Sequence, residues 1–305
     1  MKISPEQKQQ IQTCIVDDLR RRRAIDSSYS QTQHAKYLDV NISQYSRVVK
    51  GEVDRVLSDI EWIRVGRRLY VDISGVGWKI VDTYVFKYIH GQLEAAQQSK
   101  LSIMNMDIVG IGKTTTALQY AQTHPNVIYI KGRIGISRKE FIKLFAQQMG
   151  LSSYDKTEQV RARVEMHLVG MKNPLIIIDD AGYLSDQCWM EIKGLYDAVE
   201  FECGWYVIGD TSLGKKIKKL VANDALGWAA LFSRFTDKFQ SISNSLDGEA
   251  EVMMVRRNDA YEILKANMPH LTGDEQKAML KSVGLSLRVL RKEINKMNGI
   301  KDLAA

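Results

Sequence analysis

The chain has 305 residues, of which 45% are hydrophobic and 26% charged, and carries a net charge of +7. That length suits about two domains of ~150 residues, and the composition is that of a soluble globular protein with sizeable cores. The three cysteines, Cys14, Cys188 and Cys203, lack C-x-x-C spacing, which argues against a disulfide framework or a zinc site and fits a reducing cytoplasm. The polar start MKISPEQKQQ is no secretory signal, and no apolar run reaches the ~18 residues of a membrane span. A basic balance is compatible with nucleic acid without proving it.

Residues 1–72 read as an all-α unit that binds DNA or a protein. Within it Arg20–Arg23 serves either as phosphate contacts or as a solvated helix face. Gln31–Leu38 predicts a helix with Ala35 and Leu38 inward, Asp39-Val40-Asn41 a turn, and Ile42–Lys50 a second helix burying Ile42 and Val48 or Val49. This is helix-turn-helix spacing, in which the second helix enters the major groove; Ser43, Gln44, Ser46, Arg47 and Lys50 would be its exposed readers. A small bundle for protein contact is the other reading. Residues 73–100 form an amphipathic connection and the start of the next domain, with Tyr84, Phe86, Tyr88, Ile89 and Leu93 among polar residues.

From 101 to 245 strands and helices alternate, which implies a parallel sheet and an α/β class. Leu101–Met106, Val127–Lys131, Leu175–Asp179 and Trp205–Gly209 read as strands, Lys113–Gln122 and Arg138–Met149 as helices. Residues 246–305 return to a helical pattern, with Leu280, Val283, Leu287, Leu290 and Ile294 at helical spacing.

The stretch 107–116, DIVGIGKTTT, is nearly the phosphate loop G-x-x-x-x-G-K-[ST], lying between a strand and a helix as such a loop requires. Gly110 and Gly112 give the backbone room, and the N–H groups of residues 110–115, among them Ile111 and Thr115, can converge on phosphate oxygens. Lys113 would meet the β- and γ-phosphates of ATP, and Thr114 would offer its hydroxyl to Mg²⁺. Asp107 stands where the first Gly should be. Pointing inward it would repel the nucleotide by about 1 kcal/mol or more; accepting a backbone N–H it is harmless, so weakened but retained binding is expected. The strand Leu175–Asp179 ends in an acid pair at the sheet's C-terminal edge: Asp179 for Mg²⁺, Asp180 for the attacking water. Aspartate is one methylene shorter than the glutamate common at the second position, so slow hydrolysis is expected.

This loop, followed by LIIIDDAGYL, WYVIGDTSLG and LFSRF, resembles the AAA+ ATPases that assist DNA transposition, the group of phage Mu transposition protein B (MuB), IstB and TnsC, from about Tyr84 to Asn298. The resemblance implies an AAA+ P-loop core with a parallel sheet, a small C-terminal helical lid and an N-terminal helix-turn-helix domain. It places Asp210 at the sensor 1 position, where the group usually has Asn. It makes Arg234 an arginine finger acting on a neighbour's γ-phosphate and Arg288 the sensor 2 of the lid. It also implies a helical filament or ring around double-stranded DNA, touched by basic residues; Lys131, Arg133, Arg138 and Lys139, with Lys143, are the better candidates, and Lys215, Lys216, Lys218 and Lys219 form a second cluster. The implied activity is a slow, DNA-stimulated ATPase that binds DNA with little sequence preference, captures target DNA and activates a cognate transposase. A nucleotide-sensing transcription regulator is the competing reading, and a non-hydrolysing scaffold a third, given Asp107, Asp180 and Asp210.

Overall fold

Short runs of Ile, Val and Tyr bounded by Gly, Pro and Asp form strands, and the amphipathic stretches between them form the crossovers that parallel strands need. The computed structural model describes residues 3–25, 27–71, 78–235 and 238–304, with side chains as far as residue 298 save that of Ile25. The expected boundary at 72/73 lies outside the described residues.

The N-terminal helices are α1 (Pro5–Ile25), α2 (Gln31–Leu38), α3 (Ile42–Val49) and α4 (Asp59–Arg68). The central region runs α5 (Tyr84–Gln98), β1 (Ser102–Met106), α6 (Lys113–Thr123), β2 (Val127–Lys131), α7 (Arg138–Gln148) and α8 (Thr157–Gly170). It continues with β3 (Leu175–Asp179), α9 (Asp186–Ala198), β4 (Gly204–Gly209), α10 (Thr211–Ala222), α11 (Trp228–Phe232) and α12 (Ile242–Ser245). The C-terminal helices are α13 (Glu249–Asn267), α14 (Gly273–Val283) and α15 (Leu287–Ala304).

The four strands pair in parallel in the order β1-β4-β3-β2. Period-2 alternation divides their side chains between two layers. Ile128, Ile130, Ile176, Ile178, Trp205 and Val207 pack with α7, α8 and α9, whereas Ile103, Val127, Tyr129, Leu175, Ile177, Tyr206 and Ile208 pack with α5 and α6. Helix α5 is therefore part of this three-layer core, its Val85, Ile89, Leu93 and Ala96 all buried. At the free edge of β1, Gln240 exchanges backbone bonds with Met104 and Met106 at 2.8 and 2.9 Å.

The N-terminal helices bury Ala35, Leu38, Tyr45, Val48 and Trp62 around Ile11 and Ile15. Asp39 ends α2 in a left-handed conformation and Asn41 caps α3, so a three-residue turn separates the two helices. Ile42 is 45% exposed, contrary to expectation: as the first residue of α3 it precedes the turn that faces the bundle, and Tyr45 and Val48 fill the inner positions. The Leu280–Ile294 pattern is not one helix. Gly284, with φ of 67°, ends α14 and lets α15 start in a new direction.

The C-terminal helices have a separate apolar cluster centred on Leu264, Met268, Leu290 and Ile294, with Trp78 and Val81 packed against it. Asp259 of α13 joins it to the core: its carboxylate accepts the N–H groups of Tyr84 and Val85, each at 3.0 Å, at the positive end of α5. Burial raises its pKa, opposed by those same N–H donors. We expect Asp259→Ala to cost about 1–3 kcal/mol, seen as a lower thermal midpoint, because the buried Val85 N–H and the part-buried Tyr84 N–H lose their acceptor. Asp259→Asn, which keeps one acceptor oxygen, should lose less.

Candidate nucleotide-binding site

β1 delivers the chain to a turn that only glycine makes easily: Gly110 and Gly112 have φ of 81° and 106°. Helix α6 then begins without any side-chain cap, so the N–H groups of its first turn lack an intrahelical partner and are available to an anion. Lys113 donates from Nζ to the carbonyls of Asp107 (2.6 Å) and Ile108 (2.8 Å), which holds the ammonium over the loop. Burial lowers its pKa, while Asp107, Asp179, Asp210 and Asp180 pull the other way. A cavity of about 510 Å³ opens here, and Gly110, Ile111, Gly112, Lys113, Thr114 and Thr115 all line it.

Asp107 does not face that cavity. It is 1% exposed, accepts the N–H of Ile108 at 2.7 Å through Oδ1, and accepts the N–H of Ile242 through Oδ2. Its expected place among the nucleotide-binding groups is thus corrected: the carboxylate is taken up by backbone donors and clasps the loop to the start of α12.

β3 carries its acid pair to the same sheet edge. Asp179 is 1% exposed; its Oδ1 accepts the Asp180 N–H at 2.9 Å and its Oδ2 accepts the Tyr129 hydroxyl at 2.6 Å, with Thr114 lining the same cavity. Burial pushes Asp179 upward, and the Tyr129 and Thr114 hydroxyls pull it back. Thr114 and Asp179 make an all-oxygen donor pair that suits Mg²⁺. Asp180 sits in the left-handed region (φ 52°) with its carboxylate 3.5 Å from Lys131 Nζ. The close approach needs Gly132, where a Cβ would lie 2.5 Å from the Asp180 carbonyl oxygen.

Asp210 follows β4, lines the cavity and caps α10 by accepting the Leu213 N–H at 2.9 Å and the Ser212 hydroxyl at 2.6 Å. The Ser212 hydroxyl leads the donors that hold it below the usual carboxylate range. The start of α15 closes over the loop: the Leu287 N–H donates to the Gly110 carbonyl at 3.0 Å, and Arg288 reaches the cavity. Arg234 is elsewhere, paired with Asp197 and bonded to the Ala230 carbonyl, outside its own chain's cavity.

Sequence reasoning missed part of the lining. Trp78, Ile80, Val81, Phe86, Ile263 and Arg291 also line the cavity, and no local pattern marks them. Lys131 was readable: pairing β2 with β3 sets it level with Asp179. It lines the cavity, and its side chain stays 46% exposed.

The other expected DNA contacts have these surroundings. Arg138 is bonded to the buried Glu191 at 2.5 Å, while Arg133 and Lys139 are exposed. Lys216 pairs with Asp186 at 3.1 Å. On α3, Gln44 donates to the Val56 carbonyl at 2.8 Å and Arg47 pairs with Glu52 at 2.8 Å; Ser43 and Lys50 are exposed. Neither reading of Arg20–Arg23 holds for the whole run. Arg22 is 3% exposed, and Arg21 and Arg22 donate to carbonyls of Ala121, Gln147 and Gln148, docking α1 on the core.

Residues 99–217 match the family described as AAA domain. The matched segment contains the loop, both acids of β3 and Asp210, and it supports an AAA+ ATPase core and nucleotide binding. It ends before Arg234 and the C-terminal helices, and it leaves out α1–α5. A search of curated proteins found no match. No helix among the described residues is long and apolar enough to cross a membrane.

Proposed function

We propose that the chain is an ATP-switched, double-stranded-DNA-binding AAA+ ATPase that assembles on DNA, captures it as a target and activates a transposase. The observation that carries the nucleotide part is the gathering of Lys113, Thr114, Asp179, Asp180 and Asp210 at one sheet edge, with Arg288 brought to them by α15. The resemblance of the motif series to transposition helpers supports the rest, together with two short helices around a three-residue turn and the net charge of +7.

On this reading Lys113 binds the β- and γ-phosphates, and Thr114 and Asp179 hold Mg²⁺. When bound, Mg²⁺ neutralises charge on the phosphate oxygens. Asp180 polarises the attacking water, with Lys131 beside it, and Asp210 orients that water. Arg288 senses the phosphates from the lid, and Arg234 of one protomer reaches the neighbour's nucleotide. The Asp197 pair must then open on assembly. ATP acts as an assembly switch, so slow hydrolysis at Asp180 is tolerated, and hydrolysis releases the DNA.

The test uses the full chain with duplexes of several lengths and unrelated sequences, viewed by electron microscopy with ATP and Mg²⁺. Wild type should coat DNA in a length-dependent, sequence-indifferent way. Lys113→Ala should weaken nucleotide binding roughly 100-fold, about 2.7 kcal/mol, and abolish coating at ATP concentrations that saturate wild type. Coating by Lys113→Ala equal to wild type would sink the switch. A discrete footprint on one palindromic sequence would favour the transcription-regulator reading instead.

A further inference from the structure

A pair of tyrosines links the end of the N-terminal helices to the acid edge of the sheet. Tyr70, just after α4, has φ of 57°, a left-handed conformation that a bulky residue rarely adopts. Its ring meets Tyr129 of β2 edge to face, with centroids 5.3 Å apart and planes at 77°. Tyr129 is 5% exposed, and its hydroxyl is the donor that fixes Oδ2 of Asp179 at 2.6 Å. The sequence Tyr70–Tyr129–Asp179 therefore runs without a gap from the N-terminal unit to the carboxylate at the nucleotide cavity.

We infer that Tyr129 is a positioning residue for Asp179, and that Tyr70 makes this positioning depend on docking of the N-terminal helices. The inference rests on reading Asp179 as the Mg²⁺ carboxylate. A carboxylate between two strands can swing about its last torsion, and the Tyr129 hydroxyl removes that freedom on one side. With Oδ2 fixed there and Oδ1 on the Asp180 N–H, the remaining lone pairs keep one direction relative to Thr114. Groups that orient a metal ligand in this way set metal affinity without touching the metal. Tyr129 is in turn backed by Tyr70, a residue that is 36% exposed. That docking has independent anchors. Arg21 donates to the Ala121 carbonyl at the end of α6, which runs into β2. Arg22 donates to Gln147 and Gln148 at the end of α7, which follows β2. Tyr29 lies against Gly150, where a Cβ would come within 3.0 Å of its ring. A ligand that pulls the N-terminal unit from this seat removes Tyr70 from Tyr129 and loosens Asp179.

The experiment is a Mg²⁺ titration of binding of a fluorescent ATP analogue to the full chain, with a parallel measurement in EDTA. Tyr129→Phe keeps the ring and its contact with Tyr70 and removes only the hydroxyl. It should raise the half-saturating Mg²⁺ concentration about tenfold and leave the affinity in EDTA unchanged. Tyr70→Ala should shift the Mg²⁺ midpoint in the same direction, and Tyr70→Phe should restore it, because the ring contact needs no hydroxyl. An unchanged midpoint in Tyr129→Phe overturns the positioning role. A shift in Tyr129→Phe with none in Tyr70→Ala overturns the link to the N-terminal unit. So does a Tyr70→Ala shift matched by an equal loss of affinity in EDTA. If wild type itself shows no Mg²⁺-dependent nucleotide binding, the nucleotide reading fails first, and that result is distinct from all of these.

Discussion

Asp107→Gly, which restores the usual first residue of a phosphate loop, is expected to cost about 3–6 kcal/mol of stability and to give no gain in nucleotide affinity. The carboxylate is 1% exposed and takes both the Ile108 and Ile242 N–H groups. Each bond from a buried donor to a charged acceptor is worth about 1.5–3 kcal/mol, and glycine leaves both donors unpaired. The second bond spans 135 residues, so its loss also frees α12 and the Gln240 pairing from the edge of β1. Affinity should not rise, because the charge points away from the cavity and its backbone carbonyl, not its carboxylate, meets Lys113. Asp107→Asn keeps one acceptor and should lose about half as much. Denaturant unfolding and a nucleotide titration on the same samples decide the matter. Tighter binding with unchanged stability would mean that the carboxylate faces the phosphates after all.

This outcome shows where local sequence was enough. β2 and β3 fall where expected, and β1 and β4 differ by one residue at their starts, because each is a short apolar run ended by Asp, Lys or Gly. Lys113, Thr114, Asp179 and Asp210 meet because a parallel sheet puts every strand's C-terminal end on one edge. What failed needed partners far along the chain. Nothing near residue 107 announces Ile242, and nothing near residue 129 announces Tyr70 or Asp179. Trp78 and Ile263 join the cavity only once the C-terminal helices have packed. The arginine run misled because charge was counted without its neighbours. Asp18 lies three and four residues before Arg21 and Arg22, the spacing that places them on one helix face, and that signal was readable.

Asp18→Asn is accordingly expected to cost about 3–5 kcal/mol and to release the N-terminal helices from the core. Asp18 accepts from Arg21, from Arg22 Nε at 2.6 Å and, at 3.1 Å, from His34 Nε2. That assignment leaves His34 Nδ1 to accept the Tyr45 hydroxyl at 2.7 Å, so the neutral ring satisfies both partners. Arg22 also stacks on Tyr37, its guanidinium carbon 3.8 Å from the ring centroid, and is 3% exposed. Removing the anion strands that cation in the interior, the costly way to break a buried pair. Burial alone raises the Asp18 pKa, but Arg22, His34 and Arg21 outweigh it and hold the carboxyl well below its usual range. The sign follows: its contribution is complete above the unfolded value near ~3.9 and is lost as pH falls below that. Burial depresses His34, and an unfolded imidazole takes up a proton below pH ~6.5, so acidification weakens the same cluster in two steps. Asp18→Asn should abolish the lower step and keep most of the upper one. Hydrogen exchange should then rise in α1 and at the ends of α6 and α7, where Arg21 and Arg22 are anchored, while Lys113 and its loop stay protected. Unchanged exchange at those helix ends would mean that the N-terminal helices hold to the core without the arginines.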